Sequence, residues 1–187
     1  TAARGRPATE EDPPSSDFPR SQAATMTLAL AEKGVRSSVV RLPPTVHGRG
    51  DNGFIAMLIA IAREKGVAGY VGDGANVWPA VHRSDTARVF RLALEHPAAG
   101  SVWHAVGEQG VPTRSIAELM GRHLDLPVGS IAPDEAGAHF GFIGLIWGMD
   151  APTSSALTQE TLRWQPTGPG LIEDLEAGHY FTAADPS

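Results

Sequence analysis

The stretch from Ser38 to Asp51 constrains this chain more than any other. It opens with the β-branched pair Val39-Val40, meets consecutive prolines at Pro43 and Pro44, and then passes through Gly48 and Gly50. The apolar run over residues 35–42 predicts a strand buried on both faces. Proline donates no amide and sits at the edges and ends of sheets, so that strand must stop there. Phe54, Met57, Leu58 and Ile61 then fall at helical spacing, which predicts an amphipathic helix capped by Asn52 and ended by Gly66. A strand that halts over a loop and feeds a helix is the usual seat of a ligand in an open α/β sheet.

The rest of the chain keeps the alternation of strand and helix. Residues 1–20 mix four prolines with acidic residues and predict a loop or tail, because so little apolar surface is available to bury. A helix is expected over residues 22–33, capped by Ser21 and ended by Gly34. Tyr70-Val71 predicts a short strand into the turn Gly72-Asp73-Gly74, whose glycines read as a tight turn rather than a phosphate cradle. Ser84 and Asp85 suit a helix start, and that helix should run to about Glu95 with Val89, Leu92 and Ala93 inward. A strand is expected over residues 101–106, and then a helix opened by a Ser115–Glu118 capping box. A short edge strand over residues 128–132 and a helix led by Pro133 complete this part. The glycine-dotted segment 140–147 reads as a loosely packed helix, or else as an apolar lid or dimer patch. Helices starting at Thr158 and Pro169 are expected to close the chain.

Several of these segments, in this order, resemble the extended short-chain dehydrogenases, the NAD-dependent epimerase/dehydratase family. Pro43-Pro44-Thr45-Val46-His47-Gly48-Arg49-Gly50-Asp51 resembles that family's Pro-Pro-x-Val-Tyr-Gly-x-Gly-Asp turn. Gly72-Asp73-Gly74 followed by Val81-His82-Arg83-Ser84-Asp85-Thr86-Ala87 resembles its Gly-Asp-Gly and Val-Tyr/His-Val-x-Asp-x-Ala pair. Trp103-His104-Ala105-Val106-Gly107 is similar to its Tyr-Asn-Val-Gly, and Trp164-Gln165-Pro166-Thr167 to its Trp-x-Pro-Thr landmark. The likeness spans roughly residues 8–181. It implies an α/β chain forming the C-terminal part of a Rossmann-like NAD(P)-binding fold, with a small substrate-binding lobe. Residues 1–20 would be an acidic, proline-rich loop or tail, and residues 21–187 the substrate-side half. The amino-terminal half with its glycine motif is absent from this sequence, so a truncated or processed chain is expected.

The resemblance also assigns roles. NAD or NADP is the implied cofactor, with Pro43, Pro44, Thr45 and Val46 meeting its nicotinamide end. Trp78, Val81 and His82 would wall a small alcohol or carbonyl substrate. Where nucleotide-sugar members carry an arginine this chain has Trp78, which argues against a diphosphate. The family's Tyr-x-x-x-Lys pair aligns with Phe18 and Gln22, neither of which can move a proton or lower a phenol's pKa. His47, standing where the family has tyrosine, is then the remaining acid/base candidate. A loop histidine that only hydrogen-bonds its neighbours is the alternative reading of that residue.

Composition closes other routes. The net charge is −6 without a basic block, so nucleic acid is not an expected partner. There is no cysteine, and the seven histidines form no His-Glu-x-x-His, so no metal site is expected. No apolar run is long enough to span a bilayer. The expectation is a soluble, cytoplasmic protein taking a small-molecule substrate, with a homodimer as one assembly. Two other function classes stay open: a non-catalytic dinucleotide-binding sensor, and an interaction module built from the remaining lobe. Without a glycine-rich turn for the pyrophosphate, the chain alone is expected to bind dinucleotide weakly and to be inactive.

Overall fold

The computed structural model describes residues 5–14, 19–96 and 98–182. Helix-favouring alanine, leucine and methionine carry α1, Pro19–Ala29, which tightens into a 3-10 turn over Leu30–Lys33. It stops at Gly34, whose left-handed φ of 80° suits a residue without Cβ. Ser21 lies inside the first turn, not at the cap. Two short strands follow, β1 (Ser38–Arg41) and β2 (Thr45–His47), on either side of the proline pair. Next come α2 (Phe54–Lys65), β3 (Ala68–Val71), β4 (Val77–His82) and α3 (Arg83–Glu95). The chain continues through β5 (Ser101–His104), β6 (Glu108–Pro112), α4 (Thr113–Leu124) and β7 (Val128–Ile131). It closes with α5 (Ala136–Phe140), a 3-10 turn, α6 (Gly144–Trp147), α7 (Ala156–Leu162) and α8 (Leu171–Glu176).

Among the described residues the strands form three small sheets rather than one. β1 pairs in parallel with β5, Ser38 opposite Ser101 and Arg41 opposite His104. β2 lies parallel to β4, with His47 opposite His82, and β6 runs antiparallel along the other edge of β4. β3 and β7 make the third parallel pair. Each parallel pair is joined by a crossover containing helix, as parallel pairing requires.

Several expectations are corrected here. The first strand has four residues, all half-buried, while Val35 and Leu42 are 47% and 49% exposed. Among the described residues β1 has a neighbour along one edge only, and that leaves it short and partly open. In α2 the buried face is Ile55, Leu58, Ile59 and Ala62, while Met57 turns outward. Almost every position from Phe54 to Ile61 is apolar, so spacing alone could not choose between two overlapping stripes. The cap of that helix is Gly53, not Asn52. The Ser115–Glu118 box does not form; Pro112 precedes α4, and Glu118 pairs with Arg114 at 2.8 Å. Pro133 sits in a turn ahead of α5, and the segment after it breaks at Gly141, with φ of 63°.

Two cores result. The larger gathers one face each of α2, α4 and α8 with β3 and β4, around Trp78 and Trp147, whose rings meet edge to face at 4.6 Å. The smaller lies between β5, α3 and α7 and contains Val81, Val89, Trp103, Leu162 and Trp164.

Candidate active-site cleft

Arg41 ends β1, His104 ends β5, and the two are register partners, so both stand at the carboxyl ends of the parallel pair. A cleft of about 480 Å³ opens there. That volume falls within the range of small-molecule sites, about 300–1,000 Å³. Residues 39–44, including Pro43 and Pro44, form its floor with His104 and Val106. Ala8, Thr9, Asp12, Pro13 and Pro14 make one wall, the first turns of α1 a second, and Pro79, Ala151 and Thr153 of the larger lobe a third. The prolines end β1, turn the chain away from its sheet, and leave the carboxyl ends of both strands open.

One wall is a buried polar network. The carboxylate of Glu10, 5% exposed, accepts from the Thr158 amide at 2.9 Å and from its hydroxyl at 2.6 Å. The Thr158 hydroxyl in turn accepts the His104 amide at 2.8 Å. His104 Nδ1 donates to the Ser154 carbonyl at 2.7 Å, which leaves Nε2 as the acceptor nitrogen, 3.4 Å from Arg41 Nη1. Burial holds the His104 imidazole below its ordinary pKa, with the Arg41 charge acting in the same direction. Arg41 Nη1 also donates to the Asp12 carbonyl at 2.8 Å. The Asp12 carboxylate is gripped by both terminal nitrogens of Arg6, at 2.7 and 3.0 Å, and by the Thr9 amide. Residues 5–14 are thus tied to the body, and Ala8 bridges to Thr153.

His47 is elsewhere. It is 1% exposed at the end of β2, and its Nδ1 donates to Asp174 Oδ2 of α8 at 2.9 Å. Its Nε2 has no partner among the described residues, and His47 lines a separate cavity of about 150 Å³ with His82, Asp85, Glu108 and Gly168. Burial keeps His47 below its ordinary pKa, against the opposing pull of Asp174. The structure therefore separates the proline pair from His47: Pro43 and Pro44 face the larger cleft, and His47 the smaller cavity. Val81 and His82 line that smaller cavity, with Val81 1% exposed. Trp78, expected at a substrate wall, is fully enclosed in the larger core, where its indole nitrogen donates to the Ile146 carbonyl. It offers no surface to a ligand. Thr45 is buried and Val46 packs on the smaller core. Gln22 is exposed on α1, and Phe18 lies outside the described residues.

Gly48, Gly50 and Gly53 also have dinucleotide-motif spacing and lead into α2. The protein fills that turn itself. The Gly48 amide donates to the Tyr180 hydroxyl at 3.0 Å, Tyr180 donates to Asp51 at 2.9 Å, and Asp51 accepts the Gly53 amide at 2.6 Å. A carboxylate already occupies the place a phosphate would need. Among the described residues no cluster of three or more histidines and acids could hold a metal ion, and no helix is long and apolar enough to cross a membrane.

A family model described as the NAD dependent epimerase/dehydratase family matches residues 2–106. An uncharacterized protein of Schizosaccharomyces pombe is 49% identical over 181 residues, covering 96% of this chain and 61% of the relative. Another, from Saccharomyces cerevisiae, is 47% identical over 174 residues, covering 92% and 58%. The chain thus spans less than two thirds of the length of these relatives. Among solved structures, DesIV, a dTDP-glucose 4,6-dehydratase from Streptomyces venezuelae with NAD and TYD bound, matches with a TM-score of 0.72 at 18% identity. That match covers 94% of this chain and 54% of DesIV. RMD from Pseudomonas aeruginosa complexed with NADPH matches at 0.67 with 20% identity, over 97% and 62%. At such identities the likeness is one of fold.

Proposed function

The chain belongs to the NAD-dependent epimerase/dehydratase family, and on that premise we propose that it is the substrate-side portion of an NAD(P)-dependent oxidoreductase, epimerase or dehydratase acting on a small alcohol or carbonyl compound. The observation that carries this reading is the cleft at the carboxyl ends of β1 and β5, floored by Pro43 and Pro44. Ligands of open α/β sheets sit at that end of the strands. Pro43 and Pro44 support a fit to one end of a dinucleotide, offering carbonyl groups and no amide at the cleft floor, while Thr45 and Val46 lie behind that floor. The cofactor would supply the hydride chemistry; the chain would supply the floor and walls that orient it. The pyrophosphate has no cradle among the described residues, since the turn at residues 48–53 is filled by Asp51 and Tyr180. That supports a chain whose cofactor grip depends on a partner portion of the fold.

A second reading, a dinucleotide-binding sensor without turnover, is favoured by one observation. Gln22 stands on α1 where the family's lysine is expected, and an amide lacks the charge to lower a phenol's pKa. Nicotinamide absorbance assays with NAD or NADP and a panel of small alcohols and carbonyl compounds separate the two, run on this chain and on the two yeast relatives. Turnover by the relatives supports the enzyme. Dinucleotide binding by the relatives without turnover on any panel member moves the protein to the sensor class. No binding by the relatives would reject both.

A further inference from the structure

The cleft described above holds guanidinium donors that its proposed use does not explain. Four charged side chains line it or stand behind its wall within reach of Arg41: Glu10, Asp12, Arg20 and Arg41. The two carboxylates are engaged by other groups. Glu10 is taken by Thr158, and Asp12 by the two-pronged grip of Arg6. The two guanidinium groups are not so matched. Arg41 uses one nitrogen, on a backbone carbonyl and an imidazole, and no carboxylate side chain forms an ion pair with it among the described residues. Arg20 lines the same cleft from the first turn of α1 and makes no hydrogen bond or ion pair among the described residues. Burial pulls Arg41 below its ordinary pKa despite the nearby Asp12 and Glu10, as expected of a cation with incomplete compensation.

We propose that Arg41 and Arg20 form an oxyanion subsite in this cleft that receives a carboxylate or phosphate group carried by the substrate. A guanidinium presents five N–H donors in a planar fork suited to either group, and most of those on Arg41 are uncommitted. His104 steadies the arrangement as a neutral acceptor: its Nδ1–H is spent on Ser154, so Nε2 faces Arg41 and adds no competing positive charge. This inference rests on the proposed function and narrows it, from a small alcohol or carbonyl compound to an anionic one.

The test is calorimetric titration of the 187-residue chain with succinate and, separately, with inorganic phosphate, in low-chloride buffer without dinucleotide. Saturable binding at one site is expected, and the tighter of the two anions identifies the group. Arg41→Gln should weaken that binding about tenfold or more, the loss expected of a charge-assisted hydrogen bond. Arg41→Lys should fall between, because an ammonium keeps the charge but not the fork. Arg20→Gln should weaken binding severalfold while leaving the circular dichroism unchanged, since that side chain bonds nothing among the described residues; it decides the matter should Arg41→Gln fail to fold. No saturable binding by the unmodified chain overturns the inference, as does anion binding that Arg20→Gln and Arg41→Lys leave intact. A third titration, with NADP, separates the sources: competition with the anion, lost together with it in the Arg20 variant, assigns the subsite to a cofactor phosphate and overturns the substrate assignment. Because the anion arms use neither cofactor nor turnover, their failure leaves the oxidoreductase reading standing.

Discussion

Asp85, on the first turn of α3, has its carboxylate 1% exposed and accepts the amides of Thr167 at 3.1 Å and Gly168 at 2.7 Å. The approach is close enough that a Cβ on Gly168 would lie 2.7 Å from His82 Cβ and 2.9 Å from Asp85 itself. One side chain thereby holds the loop between α7 and α8 against β4. Asp85→Ala should cost about 1–2 kcal/mol, since it leaves two part-buried amides without their charged acceptor. Denaturant unfolding measures this, and a loss under about 0.5 kcal/mol would show that water replaces the carboxylate freely. Trp78 makes the second case at this scale. A tryptophan placed by family likeness at a substrate wall is fully enclosed, packed on Trp147 and Phe54. Trp78→Ala should therefore destabilise by about 3–5 kcal/mol. A variant of unchanged stability would return Trp78 to the surface and to the substrate.

At the scale of elements, β1 matters most. It pairs with β5 along one edge, the order of its sheet among the described residues being β1-β5, and exposed Val35 and Leu42 bracket it. Open edges invite pairing with another chain. Light scattering of the isolated chain should show association that rises with concentration and falls in a Val35→Lys, Leu42→Lys double variant. Equal association by both would place the contact elsewhere. Much of this level was legible in the sequence. β3, β7, α3 and α4 follow from apolar spacing and from Gly66 and Gly72, Pro43-Pro44 marked the end of β1, and β4 was reached only through the family likeness around Val81. What was not legible formed through distant partners. β6, with the sequence Glu108-Gln109-Gly110-Val111-Pro112, has little intrinsic strand preference and exists because β4 offers an edge. The cleft was half-read in the same way. Its proline floor stood out, whereas Arg41 and His104 meet across 63 positions of sequence, and nothing local to either marks the contact.

For the whole molecule, buried histidines set the response to acid. His47, His104 and His139 are all held below the ordinary value of 6.5, burial being the first cause in each. An unfolded chain takes up protons at these rings near that value, while the folded chain takes them up only at lower pH. Stability is then fully present above about pH 6.5 and is lost as pH falls toward the folded values. Denaturant midpoints should decline between about pH 7.5 and about pH 5.5; a flat or rising profile would mean that these rings charge inside the fold without penalty.

On the proposed function, the three small sheets, the self-filled turn at residues 48–53 and the cleft at the ends of β1 and β5 belong together: this chain would shape the substrate end of a Rossmann-like fold, with no cradle for the cofactor's pyrophosphate among the described residues. A few neutral hydrogen bonds at the nicotinamide end contribute roughly 0.5–1.5 kcal/mol each. Association costs about 4 kcal/mol or more, so little affinity should remain. Calorimetric titration of the isolated chain with NAD and with NADP tests this most directly. Heats that do not saturate below millimolar dinucleotide are the predicted result, and micromolar binding of either would contradict it by requiring a complete cofactor site within this chain.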